Sequence, residues 1–175
     1  MDGNPITVAG IEIPSNAPLF LFVLGLHVAF GLSCVVTGCV AMLSGKRPGR
    51  HPRFGTYYYW SLAVVFGTMS ILSAMRWAED HHLFVLGFFS FVAATVGRTA
   101  RRRRWRNWTR LHIGGLGSSY VLLLTAFYVD NGPNLPLWSR LPPIAFWTLP
   151  AAVGVPLIVW ASLRHPLAKR RAPLI

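Results

Sequence analysis

Apolar residues come in five long runs that carry no charge: Leu19–Leu43, Tyr57–Met75, Leu83–Gly97, Leu111–Val129 and Ile144–Leu163. Charged residues are confined to the stretches between them. A helix needs about 20 apolar residues, with a range of roughly 17–25, to cross the hydrocarbon core of a bilayer. Leu83–Gly97 reaches that length only if His82 and Arg98 stand at the interfaces, with the Arg98 side chain reaching back to the headgroups. The pattern predicts an all-α protein of five transmembrane helices over residues 19–165. An external segment, 1–18, precedes them and a basic tail, 166–175, follows. Within the first segment, "PITVAGIEIP" alternates like a small hairpin, although Ala9-Gly10 is not a favoured two-residue turn. The segment lacks a basic start and carries Asp2 and Glu12, so it does not read as a signal peptide. Pro150 and Pro156 fall inside the fifth run and should kink it, which membrane helices tolerate.

Charge supplies a test of the five spans. If all five cross, one side holds residues 1–18, the 76–82 turn and the 130–143 loop. These contain all five acids, Asp2, Glu12, Glu79, Asp80 and Asp130, with Arg76 and Arg140. The other side holds the loops 44–56 and 98–110 and everything after Leu163, with every remaining Lys and Arg of the seventeen and no acid. Deleting the third span would place "RWAEDHH" beside the arginine run and destroy the sorting. Short cytoplasmic loops are rich in Lys and Arg, so the amino terminus is expected outside and the carboxyl terminus in the cytoplasm of a bacterial cell.

The same sorting explains "RTARRRRWRNWTRLH", Arg98–His112, and the net charge of +12. A basic patch is the usual footprint of nucleic-acid binding, but only 13% of residues are charged and 53% are hydrophobic. Soluble domains carry about 25% charged residues. The stretch reads as a cytoplasmic loop in which Arg101, Arg102, Arg103 and Arg104 contact anionic lipid headgroups and Trp105 and Trp108 lie at the interface. The expected partner is the bilayer, not nucleic acid.

Candidate chemistry is concentrated in the histidines. No carboxylate pair, GxSxG, phosphate-binding glycine loop, HExxH or CxxC is present. His27 lies roughly 12 Å inside the first span, and an ionisable residue at that depth is a functional candidate. Gly31, Cys34 and Gly38 follow it in a stripe about 60° wide, which would admit another helix or a flat cofactor. Cys34 and Cys39 read as buried thiols pointing in different directions. His112 opens "LHIGGLGSSY" with Gly115 and Ser119 on its face. His51, in "GRHPRFG", and His165, in "RHPL", are expected near the same inner surface. His81 and His82 read as part of a polar turn outside.

The stretches "LHVAFGLSCVVTG", "GKRPGRHPRFGTYYYW", "LHIGGLGSSYVLLLTAFYVDNG" and "LPAAVGVP" resemble a group of small bacterial multi-pass membrane proteins of unknown function. The resemblance runs from about Leu19 to Pro166 and singles out His27, His51 and His112. A looser similarity connects the chain to b561-type haem cytochromes, which hold haem b between histidines on neighbouring helices. This chain lacks their two matched pairs of intramembrane histidines.

Two functional readings follow. In the first, the chain is an accessory, scaffold or carrier protein whose polar intramembrane groups serve packing, with a membrane-protein partner or a second copy as company. In the second, it is a redox protein with one haem b or a metal held by His51 and His112, and His27 as a further candidate. A depth offset of roughly 15 Å in a core ~30 Å thick makes His27 with His112 a poor pair, because metal–nitrogen bonds are only ~2.0–2.1 Å.

Overall fold

The computed structural model describes residues 5–8, 11–45 and 49–165. They form two short strands, β1 (Ile6–Val8) and β2 (Ile11–Ile13), and five helices: α1 (Pro18–Leu43), α2 (Arg50–Met75), α3 (Trp77–Arg102), α4 (Trp108–Asn131) and α5 (Pro143–Arg164). Two 3-10 turns, Gly132–Asn134 and Trp138–Arg140, link α4 to α5. The helices have 22 to 26 residues, or about 33–39 Å at 1.5 Å per residue, against a hydrocarbon core of ~30 Å. All five are long and apolar enough to cross a membrane.

Their outward faces fit that solvent. Leu19, Phe22, Leu32 and Val36 on α1, and Val153, Val155, Leu157 and Trp160 on α5, are all exposed. Apolar surface of that extent would be a liability in water and is what lipid tails contact. The chain is a multi-pass membrane protein.

Each charge-free run lies within one helix, and all but α1 extend beyond their runs into charged residues. The third run gains most. α3 continues from Trp77 to Arg102, with Glu79 and Asp80 in its first turn and Arg101 and Arg102 in its last. Both pairs complement the helix macrodipole.

The chain forms two compact units, residues 1–85 and 86–175, with the boundary inside α3. The first unit is built on an α1–α2 hairpin. Pro18 opens α1 in the position where its missing N–H costs nothing. Gly49, with φ of +125°, precedes α2, a conformation that a side chain would strain. The inward positions of α1 include Phe20, Val23, Cys34, Thr37, Gly38 and Ala41. Those of α2 include Tyr58, Ser61, Leu62, Val65, Thr68 and Leu72. Steps of three and four put each set on one helix face. At one end, Phe20, Val23 and Leu72 form a buried cluster against which Ile13 packs. β1 and β2 pair antiparallel, Ile6 opposite Ile13 and Val8 opposite Ile11, so the hairpin forms despite the unfavoured dipeptide. Residues 9 and 10 themselves lie outside the described residues.

In the second unit α4 has neighbours on both flanks. Gly115 faces α3, where a Cβ would stand 2.6 Å from the Ala93 carbonyl oxygen and 2.8 Å from the Gly97 Cα. Gly117 faces α5, where a Cβ would meet the Ile158 side chain at 2.6 Å. Two residues along a helix turn the chain by about 200°, so these two glycines look in opposite directions. That accounts for the spacing in "GGLG". On α5, Phe146, Pro150, Gly154 and Ile158 recur every four residues. Gly154 lies against Val121, and Phe146 against Gly132. Pro150 is buried within this row, and α5 continues through both prolines.

Candidate functional site

The three histidines singled out by sequence each join two successive helices. His27 on α1 meets Thr68 on α2, Nδ1 to Oγ1, at 3.0 Å. The Thr68 hydroxyl also reaches its own helix carbonyl at Val64, 2.9 Å away. A hydroxyl has one proton. With that proton on Val64, the ring N–H of His27 donates to Thr68, giving a short relay that ends on backbone. Such chains polarise and strengthen each other.

His51 sits in the first turn of α2 and donates from Nδ1 to the Ala41 carbonyl at 2.8 Å. Ala41 is in the last turn of α1, where carbonyls lack intrahelical donors. Its neighbour Val40 is covered by the backbone N–H and hydroxyl of Ser44. His51 therefore caps the end of α1 while fixing the start of α2 against it.

His112 on α4 donates from Nδ1 to the Gly97 carbonyl of α3 at 3.1 Å. It extends the Gly97–Gly115 approach by one helical turn. Farther along the same seam, the Ser90 hydroxyl donates to the Ser119 carbonyl at 2.9 Å, and the two hydroxyl oxygens are 3.3 Å apart. Both serines are fully buried.

These placements bear on a shared iron or metal. His27 and His51 clasp the α1–α2 seam at two separate levels. Their partners Thr68 and Ala41 correspond to α1 positions 14 residues apart, about 21 Å along the axis. One iron with ~2 Å bonds cannot take both. His112 belongs to the second compact unit. Among the described residues, no three His, Cys, Asp or Glu side chains gather to hold a metal ion. His81, near the start of α3, bonds back to the Trp77 and Ala78 carbonyls of its own helix at 3.3 Å. His165 follows the last residue of α5, its backbone N–H donating to the Ala161 carbonyl.

Two expectations need correction. Cys34 is buried and its thiol points at the Tyr58 carbonyl, 3.8 Å away, but Cys39 is exposed. Five residues turn a helix by about 140° beyond a full circle, which carries Cys39 off the seam. The stripe with Cys34 and Gly38 predicts a close approach at Gly31, yet a Cβ there would meet nothing within 4 Å. Its neighbour Ser33 faces α2 instead, with its hydroxyl 3.0 Å from that of Ser61.

The hydroxyl partners were not anticipated. Ser61 and Thr68 fall in the same three–four spacing as Tyr58, Leu62, Val65 and Leu72. Hydroxyls at core positions of a membrane helix were the available signal. The Ser73 hydroxyl donates to the Asp80 carbonyl at 3.2 Å, and Arg76 and Asp80 are 3.8 Å apart, so the α2–α3 turn is tied by its own residues.

Arg101 to Arg104 lie at the end of α3 and in the turn after it, all exposed. Arg104 takes a left-handed conformation, φ 53°, and its guanidinium stands 5.2 Å from the centre of the Trp108 ring. At the start of α2, Gly49, Arg50, Arg53, Phe54 and Tyr57 line an open groove of about 550 Å³. No protein-family model, no curated protein and no solved structure matches the chain.

Proposed function

We propose that the chain is a protein of the bacterial cytoplasmic membrane that serves as an accessory, scaffold or carrier component. Its amino terminus lies outside and its carboxyl terminus in the cytoplasm. The observation behind the non-redox role is the separation of His27 from His51, which bond about 21 Å apart along the α1–α2 seam. His27, His51 and His112 each bond to a hydroxyl or carbonyl on the neighbouring helix. Each bond gives its histidine a packing task, and one iron with ~2 Å bonds cannot join His27 to His51.

Absorbance tests the role. Protein purified in mild detergent should show no Soret band, and His51→Ala and His112→Ala should lower its thermal stability. A Soret band lost in both variants would overturn the role. The orientation rests on the segregation of acids from Lys and Arg. Reporter fusions at Asn134 and Ala172 should report opposite compartments, with Ala172 inside. The same compartment for both would overturn it.

A further inference from the structure

We propose that the groove at the start of α2 is a binding site for the headgroup of an anionic phospholipid. Arg50, Arg53 and Tyr57 lie three and four residues apart, and all three are exposed. Phe54 completes the lining, its ring 6.1 Å from that of Tyr57 and nearly perpendicular to it. His51, between the two arginines, turns the other way to cap α1. The side chains on the groove are thus two cations and two aromatic rings.

Charge argues for an anion. The 44–56 segment contains four basic residues and no acid, so its own sequence offers Arg50 and Arg53 no carboxylate. Guanidinium groups bind phosphate oxygens through paired, charge-assisted hydrogen bonds. Shape argues for a lipid. Tyr57 lies seven residues beyond Arg50, about 10 Å along the helix, where the long apolar run begins. The groove therefore passes from cations at headgroup depth to aromatic rings at the depth that tyrosine favours in bilayers. A phospholipid carries phosphate and acyl chain in that order. Inorganic phosphate would use only the arginines.

This inference rests on the membrane reading, but not on which compartment the basic side faces. The test is thermal unfolding of the full chain in neutral detergent, titrated with phosphatidylglycerol, phosphatidylcholine or inorganic phosphate. Phosphatidylglycerol should raise the melting temperature saturably, and the other two should not. Arg50→Gln/Arg53→Gln should weaken the phosphatidylglycerol midpoint on the order of tenfold, the size expected from losing two surface cations. Arg110→Gln/Arg164→Gln removes the same charge from two other exposed positions and should change it less than about twofold. Equal losses in the two variants would mean diffuse attraction and overturn the site. An equal response to inorganic phosphate would overturn the lipid assignment. Both variants should melt like the parent without lipid, which separates binding from folding. A chain that stays monodisperse without detergent would instead refute the membrane reading.

Discussion

Along α1 and α2 most buried positions carry side chains, Cys34, Thr37 and Ala41 on α1 and Tyr58, Leu62 and Val65 on α2, with His27–Thr68 and Ser33–Ser61 as polar ties. From Ala93 to Ile158, in the second unit, the helices meet through glycines: Gly97 with Gly115, Gly117 with Ile158, Gly154 with Val121. Lipid supplies no hydrophobic drive for helices to associate, so close packing and interhelical hydrogen bonds must do it. The first seam relies on side chains that can adjust. The second includes, at Gly97 and Gly115, backbones at contact distance, which cannot adjust without separating the helices. The two seams should therefore respond differently to the same kind of substitution.

The largest effect is expected at Gly115. Its added Cβ would meet backbone, the Ala93 oxygen and the Gly97 Cα and N, all under 3.0 Å. Gly115→Leu should cost about 3 kcal/mol, the upper part of the usual overpacking range, measured by unfolding in mixed detergent micelles. Gly115→Ala should already be destabilising. A parent-like Gly115→Leu would remove the distinction between the two seams.

Gly154 comes next. Its added Cβ would collide with Cγ2 of Val121, a side-chain methyl rather than backbone. Gly154→Ala should cost about 1 kcal/mol. Combining it with Val121→Ala should recover part of that loss, because the clash and its cause are removed together. A double-mutant cycle measures the recovery. Strictly additive losses would show that α4 and α5 do not meet at this point.

The spans were legible because charge exclusion over some twenty residues is a strong signal, and the sorting of acids from bases rescued α3 where length alone would not. The packed faces were legible only in part. Gly31 and Gly115 are each four or three residues from a histidine, in stripes of small residues that look alike on a helical wheel. A glycine in sequence marks permission for close approach, not the direction in which a neighbour lies. That direction depends on which side chains nearby are large. On α4, Gly114, Gly115 and Gly117 point three ways, and only the last two meet another helix. The histidines were recognised as unusual, but their partners are backbone carbonyls and a threonine, and a carbonyl leaves no trace in sequence.

The His27–Thr68 tie tests the side-chain seam at lower energy. Interhelical hydrogen bonds in membranes average ~0.6 kcal/mol, with a maximum near 1.7. His27→Leu and Thr68→Val should each destabilise the α1–α2 hairpin modestly, and the cycle should return a coupling of about 0.6 kcal/mol. A coupling near zero would leave His27 without a packing task and reopen it as a functional group.

The smallest effect is expected where the sequence implied a large one. Gly31 carries the same four-residue offset from His27 that made its stripe look like a packed face, yet nothing lies within 4 Å of its added Cβ. Exposed substitutions away from such contacts usually change stability by less than about 0.5 kcal/mol. Leucine also favours helix over glycine by somewhat under 1 kcal/mol in water, so any change should lean toward stabilisation. Gly31→Leu should therefore unfold with the parent, while Gly115→Leu, made and measured alongside it, does not. A clear loss at Gly31 would mean that this face of α1 is covered in the membrane, by another part of this chain or by a partner. Crosslinking through the exposed Cys39, eight residues along α1, would distinguish a second copy from a different chain, since only a second copy would give a disulfide-linked dimer in the purified protein.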